Sequence, residues 1–124
     1  MDNQKRILKQ LKMGTTEVLI LAVLSRKDQY GYELARKVHR SSGGYFDLKQ
    51  GFLYPALRRM EQAKLLRSYQ QDSDSHGPDR KYYHLTPKGK AFLTTSLEAW
   101  KEFSCKFNRT LSGIRKGPAG GTAQ

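Results

Sequence analysis

The stretch Gln50-Gly51-Phe52-Leu53-Tyr54-Pro55-Ala56-Leu57-Arg58-Arg59-Met60-Glu61 decides the reading of this chain. Leu53, Leu57 and Met60 recur on one face at helical spacing while Arg58, Arg59 and Gln62 point elsewhere, so a helix is expected over about 51–64. Downstream, Arg80, Tyr82 and His84 alternate with Lys81, Tyr83 and Leu85 in the manner of a strand. Thr86-Pro87 then supplies an N-cap and a first helical residue. A short apolar run, Leu65-Leu66, and a turn-rich segment, Asp72-Ser73-Asp74-Ser75-His76-Gly77-Pro78, lie between the two. Helix, strand, polar loop and strand in that order form the heart of a winged helix, with long basic side chains where a nucleic acid would be met.

Outward from this centre, five helical segments and one hairpin are expected. Residues 3–12 set Ile7, Leu8 and Leu11 on one face among basic residues, a helix too short to stand alone. A second helix, about 16–26, is apolar almost all round and should be the buried one, with Thr15 or Thr16 as its cap. A third, about 30–42, turns Leu34, Ala35 and Val38 inward, sets Arg36, Lys37 and Arg40 outward, and ends at Ser41-Ser42-Gly43-Gly44. Tyr45-Phe46-Asp47-Leu48 alternates and is expected to add a third strand. The last helix, about 87–114, carries Leu93, Leu97, Trp100, Phe107, Leu111 and Ile114 on alternating spacings of four and three, widened by Phe92, Ala99 and Phe103. That stripe exceeds what one small domain can cover, so it calls for a second helix and hence a homodimer. The divisions expected are 1–86, 87–114 and a tail, 115–124, with nothing to bury and expected to be disordered.

With 124 residues the chain fits one domain, and the fold class expected is mainly α with a small sheet: a winged helix-turn-helix followed by a long dimerisation helix. The net charge of +12 favours a polyanionic partner, although the surplus is spread along the chain rather than clustered. One cysteine excludes an internal disulfide framework and suits a reducing compartment. Basic residues interrupt the only region that could resemble a secretory signal, and the apolar run Val18 to Leu24 is too short to span a bilayer, so a cytoplasmic protein without membrane contact is expected. His39, His76, His84 and Cys105 lack metal-ligand spacing, and no nucleophile motif, phosphate-cradling glycine loop or acid/base pair is present. Neither a metal, a cofactor nor an enzymatic activity is expected.

Three motifs carry a resemblance: Tyr30-Gly31-Tyr32-Glu33-Leu34, Gly51 to Glu61, and Arg80-Lys81-Tyr82-Tyr83-His84-Leu85-Thr86-Pro87-Lys88-Gly89. In this order and spacing, with Trp100 in the last helix, the chain resembles the PadR-like transcriptional regulators with a single C-terminal helix. The resemblance covers about residues 14–112. It implies a homodimer on double-stranded DNA at a pseudo-palindromic operator, commonly a repressor released by a small aromatic molecule near the dimer interface. The DNA contacts so implied are Tyr32, Arg36, Lys49, Gln50, Gly51, Phe52, Tyr54, Pro55, Arg58, Arg59, His76, Arg80 and Lys81. On the apolar stripe, Trp100 and Phe103 are the candidate effector residues, and Ile7, Leu8, Leu11, Leu93, Leu97, Trp100, Phe107 and Leu111 the candidate dimerisation residues. Phe52 stands where the family usually has threonine or another small residue. Lys64 stands where the family usually has glycine, which tolerates a left-handed backbone.

Each of these readings has a bland counterpart: paired arginines as a solvated helix face, a flexible hairpin loop, an aromatic stripe as dimer core. Two other functions also fit in part. One is a constitutive winged-helix module that binds DNA or recruits a protein without an effector. The other is a basic RNA-associated protein, which should array aromatic residues on an open sheet.

Overall fold

The computed structural model describes residues 3–12, 14–71 and 80–116. Its elements are α1 (Asn3–Lys12), α2 (Thr16–Leu24), β1 (Gln29–Tyr30), α3 (Gly31–Ser41), α4 (Gln50–Gln62), β2 (Leu66–Gln71), β3 (Arg80–Leu85) and α5 (Pro87–Arg115). Two compact units result, residues 1–93 and 94–124. His76, the rest of the loop between β2 and β3, and the tail from 117 lie outside the described residues.

In the first unit, Ile20, Leu21 and Leu24 of α2 meet Leu34 and Val38 of α3 and Leu53, Ala56, Leu57 and Met60 of α4. Leu66, Tyr83 and Leu85 close this core from the sheet, and Leu93 from the first turns of α5. The antiparallel sheet has the order β1-β3-β2, with Tyr30 opposite Tyr82 and Tyr69 also opposite Tyr82. Tyr83 and Leu85 therefore face inward, and Tyr30, Tyr69, Tyr82 and His84 share the outer face. There Asp28 accepts hydrogen bonds from the Tyr69 hydroxyl (2.6 Å) and pairs with His84 Nδ1 (2.8 Å).

Helix positions agree with the periodicity, and the connections supply the corrections. The expected strand at 45–48 is not formed. Its backbone groups are taken elsewhere: the Phe46 amide donates to Ser42 Oγ (2.9 Å) and the Tyr45 carbonyl accepts from Lys12 Nζ (2.9 Å). The third strand is instead Gln29–Tyr30, too short to show alternation. Thr15 and Thr16 do not cap α2 through their side chains. Both hydroxyls donate back to the Lys12 carbonyl (2.9 and 3.2 Å) and so close α1.

The end of α4 sets the angle of everything after it. Leu65 N donates to Met60 O (2.9 Å) and Lys64 N to Glu61 O (3.0 Å), a Schellman turn that puts Lys64 at φ +68°. The departure from glycine is thus absorbed by backbone strain rather than by another geometry. Lys64→Gly should raise stability by about 1 kcal/mol in denaturant unfolding with an unchanged m-value. A fall in stability would show that the lysine stem contributes packing that outweighs the strain.

Candidate nucleic-acid interface

One face of α4 and the start of β3 meet along one side of the first unit, and Tyr54 is their common neighbour. Tyr54, Arg58 and Glu61 from α4, Arg80, Lys81 and Tyr83 from β3, and Tyr30 from β1 line a cavity of about 300 Å³. Helical spacing places Tyr54, Arg58 and Glu61 on one face, and strand pairing brings Arg80 and Lys81 beside it. Three cations stand against one carboxylate, and that carboxylate accepts a hydrogen bond from Ser68 Oγ (2.6 Å), which ties α4 to β2. The Arg80 guanidinium lies over the Tyr30 ring, 4.7 Å from its centroid. Desolvation raises the Tyr30 and Tyr83 hydroxyls above their ordinary value, so both stay protonated and able to donate at neutral pH.

Across Tyr54 a second cavity, of about 370 Å³, opens between α3 and the start of α4. Tyr32, Arg36, Lys49 and Gln50 line it, together with His39 and Asp47. Lys49 pairs with Asp47 (3.0 Å), which holds that carboxyl below its ordinary value. Gly51 and Phe52 lie on the open side of the first turn of α4; no atom comes within 4 Å of where a Gly51 Cβ would stand. Phe52 therefore points outward rather than into the core. Pro55 lies inside the helix, half-buried, and leaves the Gly51 carbonyl without its i+4 amide partner.

Of the residues singled out from sequence, Tyr32, Arg36, Lys49, Gln50, Tyr54, Arg58, Arg80 and Lys81 gather around these two cavities. Arg59 does not. Its guanidinium pairs with Glu17 of α2 at 2.5 Å, on another side of α4, where it braces the helix. Tyr30, Gly31, Glu61 and Tyr83 were missed as site residues. Gly31 matters because a Cβ there would stand 2.8 Å from Tyr54 Cε1 and Oη. The Tyr30-Gly31 pair within the first motif was the available signal.

From Thr94 onward α5 belongs to the second unit. Leu97, Trp100, Phe103, Phe107, Leu111 and Ile114 are all exposed along it. Trp100 and Phe103 have ring centroids 6.1 Å apart, and Phe103 and Phe107 stack at 6.0 Å. Phe103 and Phe107 also line a shallow groove of about 460 Å³ with Ala99, Glu102, Lys106 and Thr110. On α1, Ile7 and Leu11 are exposed and Leu8 is half-buried. Among the described residues no helix is long and apolar enough to cross a membrane, and no cluster of metal-ligating side chains occurs.

A helix-turn-helix, a three-stranded sheet with a long hairpin, and a basic face shared by α4 and β3 define a winged-helix protein of the regulatory class. Residues 20–95 match the transcriptional regulator PadR-like family, and the chain belongs to that family. Its members are transcriptional regulators and not enzymes. A PadR family transcription regulator from Clostridium difficile is 41% identical, with 79% of this chain and 99% of that one covered and a TM-score of 0.70. For a PadR family transcriptional regulator from Eggerthella lenta the identity is 28%, the coverage 86% and 90%, and the TM-score 0.77. The transcriptional regulator YqjI of Escherichia coli is 27% identical over 85 residues, which are 68% of this chain and 39% of that protein.

Proposed function

We propose that the chain is a dimeric, DNA-binding transcriptional repressor that reads a pseudo-palindromic operator and is released by a small planar aromatic molecule. The observation that carries the DNA-binding part is the cavity where Tyr54 and Arg58 of α4 meet Arg80 and Lys81 of β3. A backbone phosphate seated there accepts from the Arg80 guanidinium, the Lys81 ammonium and the Tyr54 hydroxyl, while Arg58 and the first turns of α4 (Gln50, Gly51 and Phe52) address base edges in the major groove. Tyr32, Arg36 and Lys49 extend the phosphate contacts on the other side of Tyr54. Arg59, engaged by Glu17, positions α4 instead of touching DNA, and Pro55 shapes the helix.

The dimer part rests on the exposed stripe of α5, with Ile7, Leu8 and Leu11 of α1 as a second apolar surface. Two copies related by a two-fold axis cover both and set two α4 helices about 34–36 Å apart, one turn of duplex. The effector part rests on Trp100, a half-exposed indole on that stripe, since two indoles across an interface can stack on a flat ligand. A ligand that favours wrongly spaced α4 helices lowers operator affinity by its own preference for that state.

The test is a titration of the dimer with phenolic and planar cationic compounds, read by the fluorescence of Trp100, the one tryptophan, and by operator binding. A compound that quenches Trp100 should weaken operator binding, and Trp100→Ala should lose both responses. Quenching that leaves operator affinity untouched would make the protein a constitutive binder.

A further inference from the structure

The contacts of Lys12 reach the loop that presents α4, and no DNA-facing residue is among them. Its ammonium donates to the Tyr45 carbonyl at 2.9 Å. It also lies over two aromatic rings, 4.3 Å from the Tyr45 centroid and 5.1 Å from that of Phe46. The two rings stand edge to face, at 83° and 5.2 Å, and so form a corner for the cation. This corner holds the first residues after the Gly43-Gly44 turn. The chain then buries Leu48 and reaches Lys49, whose carbonyl accepts from Phe52 N (2.9 Å) and Leu53 N (2.8 Å) to open α4. The residues that fix the N-terminal end of α4 are therefore pinned from α1, 33 positions upstream of Tyr45.

We infer that Lys12 is a positioning residue for DNA binding, a latch between α1 and the loop that sets the N-terminal turn of α4. This deepens the DNA-binding reading and rests on it. The chemistry is that of a cation held by two ring faces and one backbone carbonyl. A side chain of the same length without charge keeps the apolar stem and loses all three attractions. The loop then samples other conformations, and the apparent affinity falls with the fraction that presents α4 correctly. A residue that acts through the loop leaves the number of phosphate contacts unchanged, so the slope of log K against log salt does not move. A direct phosphate contact would lower that slope by about one for each subunit bound.

The experiment compares the parent, Lys12→Met, Lys12→Arg and, as a control for charge on the same helix, Lys9→Met. Operator affinity is measured at several salt concentrations, and hydrogen exchange is read for the amides of residues 45–50. Lys12→Met should weaken binding about fivefold to tenfold with the parent's salt slope and faster exchange in that loop. Lys12→Arg should restore both, because a guanidinium can also donate to the carbonyl and stack on the rings. Lys9→Met should leave loop exchange at the parent's value. Parental affinity in Lys12→Met would overturn the latch, as would a salt slope reduced by about one for each subunit bound with loop exchange unaltered. If the parent itself binds no duplex, the proposed function falls, while the exchange data still decide whether Lys12 holds the loop.

Discussion

Replacing Leu97 and Leu111 together by Asp should convert the protein to monomers and weaken operator binding by about 100-fold or more. Both side chains are exposed on α5 beside Trp100 and Phe107, outside the core of the first unit. A stripe of this kind is stable in water when another apolar surface covers it, and each buried leucine contributes roughly 2 kcal/mol to that association. Four carboxylates brought into a two-fold interface along this stripe oppose it by desolvation. The loss of DNA affinity follows from valence: two half-sites held by one dimer bind with a local concentration that a monomer lacks. Light scattering checks the mass, and a dimer unchanged in mass would remove α5 from the interface. The winged-helix unit should remain folded in the monomer, because its core is built within residues 16–93.

Gly89→Ala should be the most damaging single methyl in the chain, costing about 3 kcal/mol and lowering the melting temperature by on the order of 10 °C. The first turn of α5 packs against the backbone of Leu65, in the turn between α4 and β2. A Cβ on Gly89 would run into the Leu65 carbonyl oxygen, with Leu85 Cδ1 at 2.6 Å and the Leu65 carbonyl carbon at 3.1 Å. Those obstacles are mainly backbone, held by two further contacts. Thr86 Oγ1 donates to Lys64 O (2.7 Å), and Thr86 N donates to Leu65 O (3.1 Å). The neighbour therefore cannot give way cheaply. Gly113 in the same helix meets nothing within 4 Å, so Gly113→Ala should be neutral or stabilising by a few tenths of a kcal/mol to about 1 kcal/mol. Thermal unfolding of the two variants side by side separates close packing from helix propensity. A Gly89→Ala variant as stable as the parent would mean that Leu65 and Leu85 yield to the added methyl.

What was legible in the chain follows from the range of the forces involved. The apolar spacing of Leu53, Leu57 and Met60 is a local signal, and α4 lies within a residue or two of the range read from it. Thr86 as cap of α5 was equally local, and its hydroxyl accepts from Gly89 N at 3.0 Å. The left-handed backbone at Lys64 was foreseeable from the glycine that usually stands there. Long-range pairing was not legible. Gln29–Tyr30 is a strand because β3 lies beside it, and residues 45–48 are none because Lys12 and Ser42 engage their polar groups. At the site, residue type indicated basic side chains but could not tell Arg58 from Arg59. One helical step separates them, and only the position of Glu17 in α2 decides which is engaged. Tyr30 and Gly31 belong to a motif that is visible in the chain, but their close approach to Tyr54 is a long-range contact that the motif does not reveal.

The central claim is that α4 and β3 form one DNA-binding face in which Arg58 reads bases and Arg80 holds the backbone. It is tested most directly by fluorescence anisotropy of a duplex from the protein's own promoter region with the parent, Arg58→Ala and Arg80→Ala over a series of salt concentrations. Arg58→Ala should cost about 1–3 kcal/mol on the operator and relax preference at one base pair per half-site. Arg80→Ala should weaken operator and unrelated duplexes about equally and reduce the salt slope by about one for each subunit bound. If both variants bind with the parent's affinity and salt slope, the DNA face lies elsewhere on the molecule.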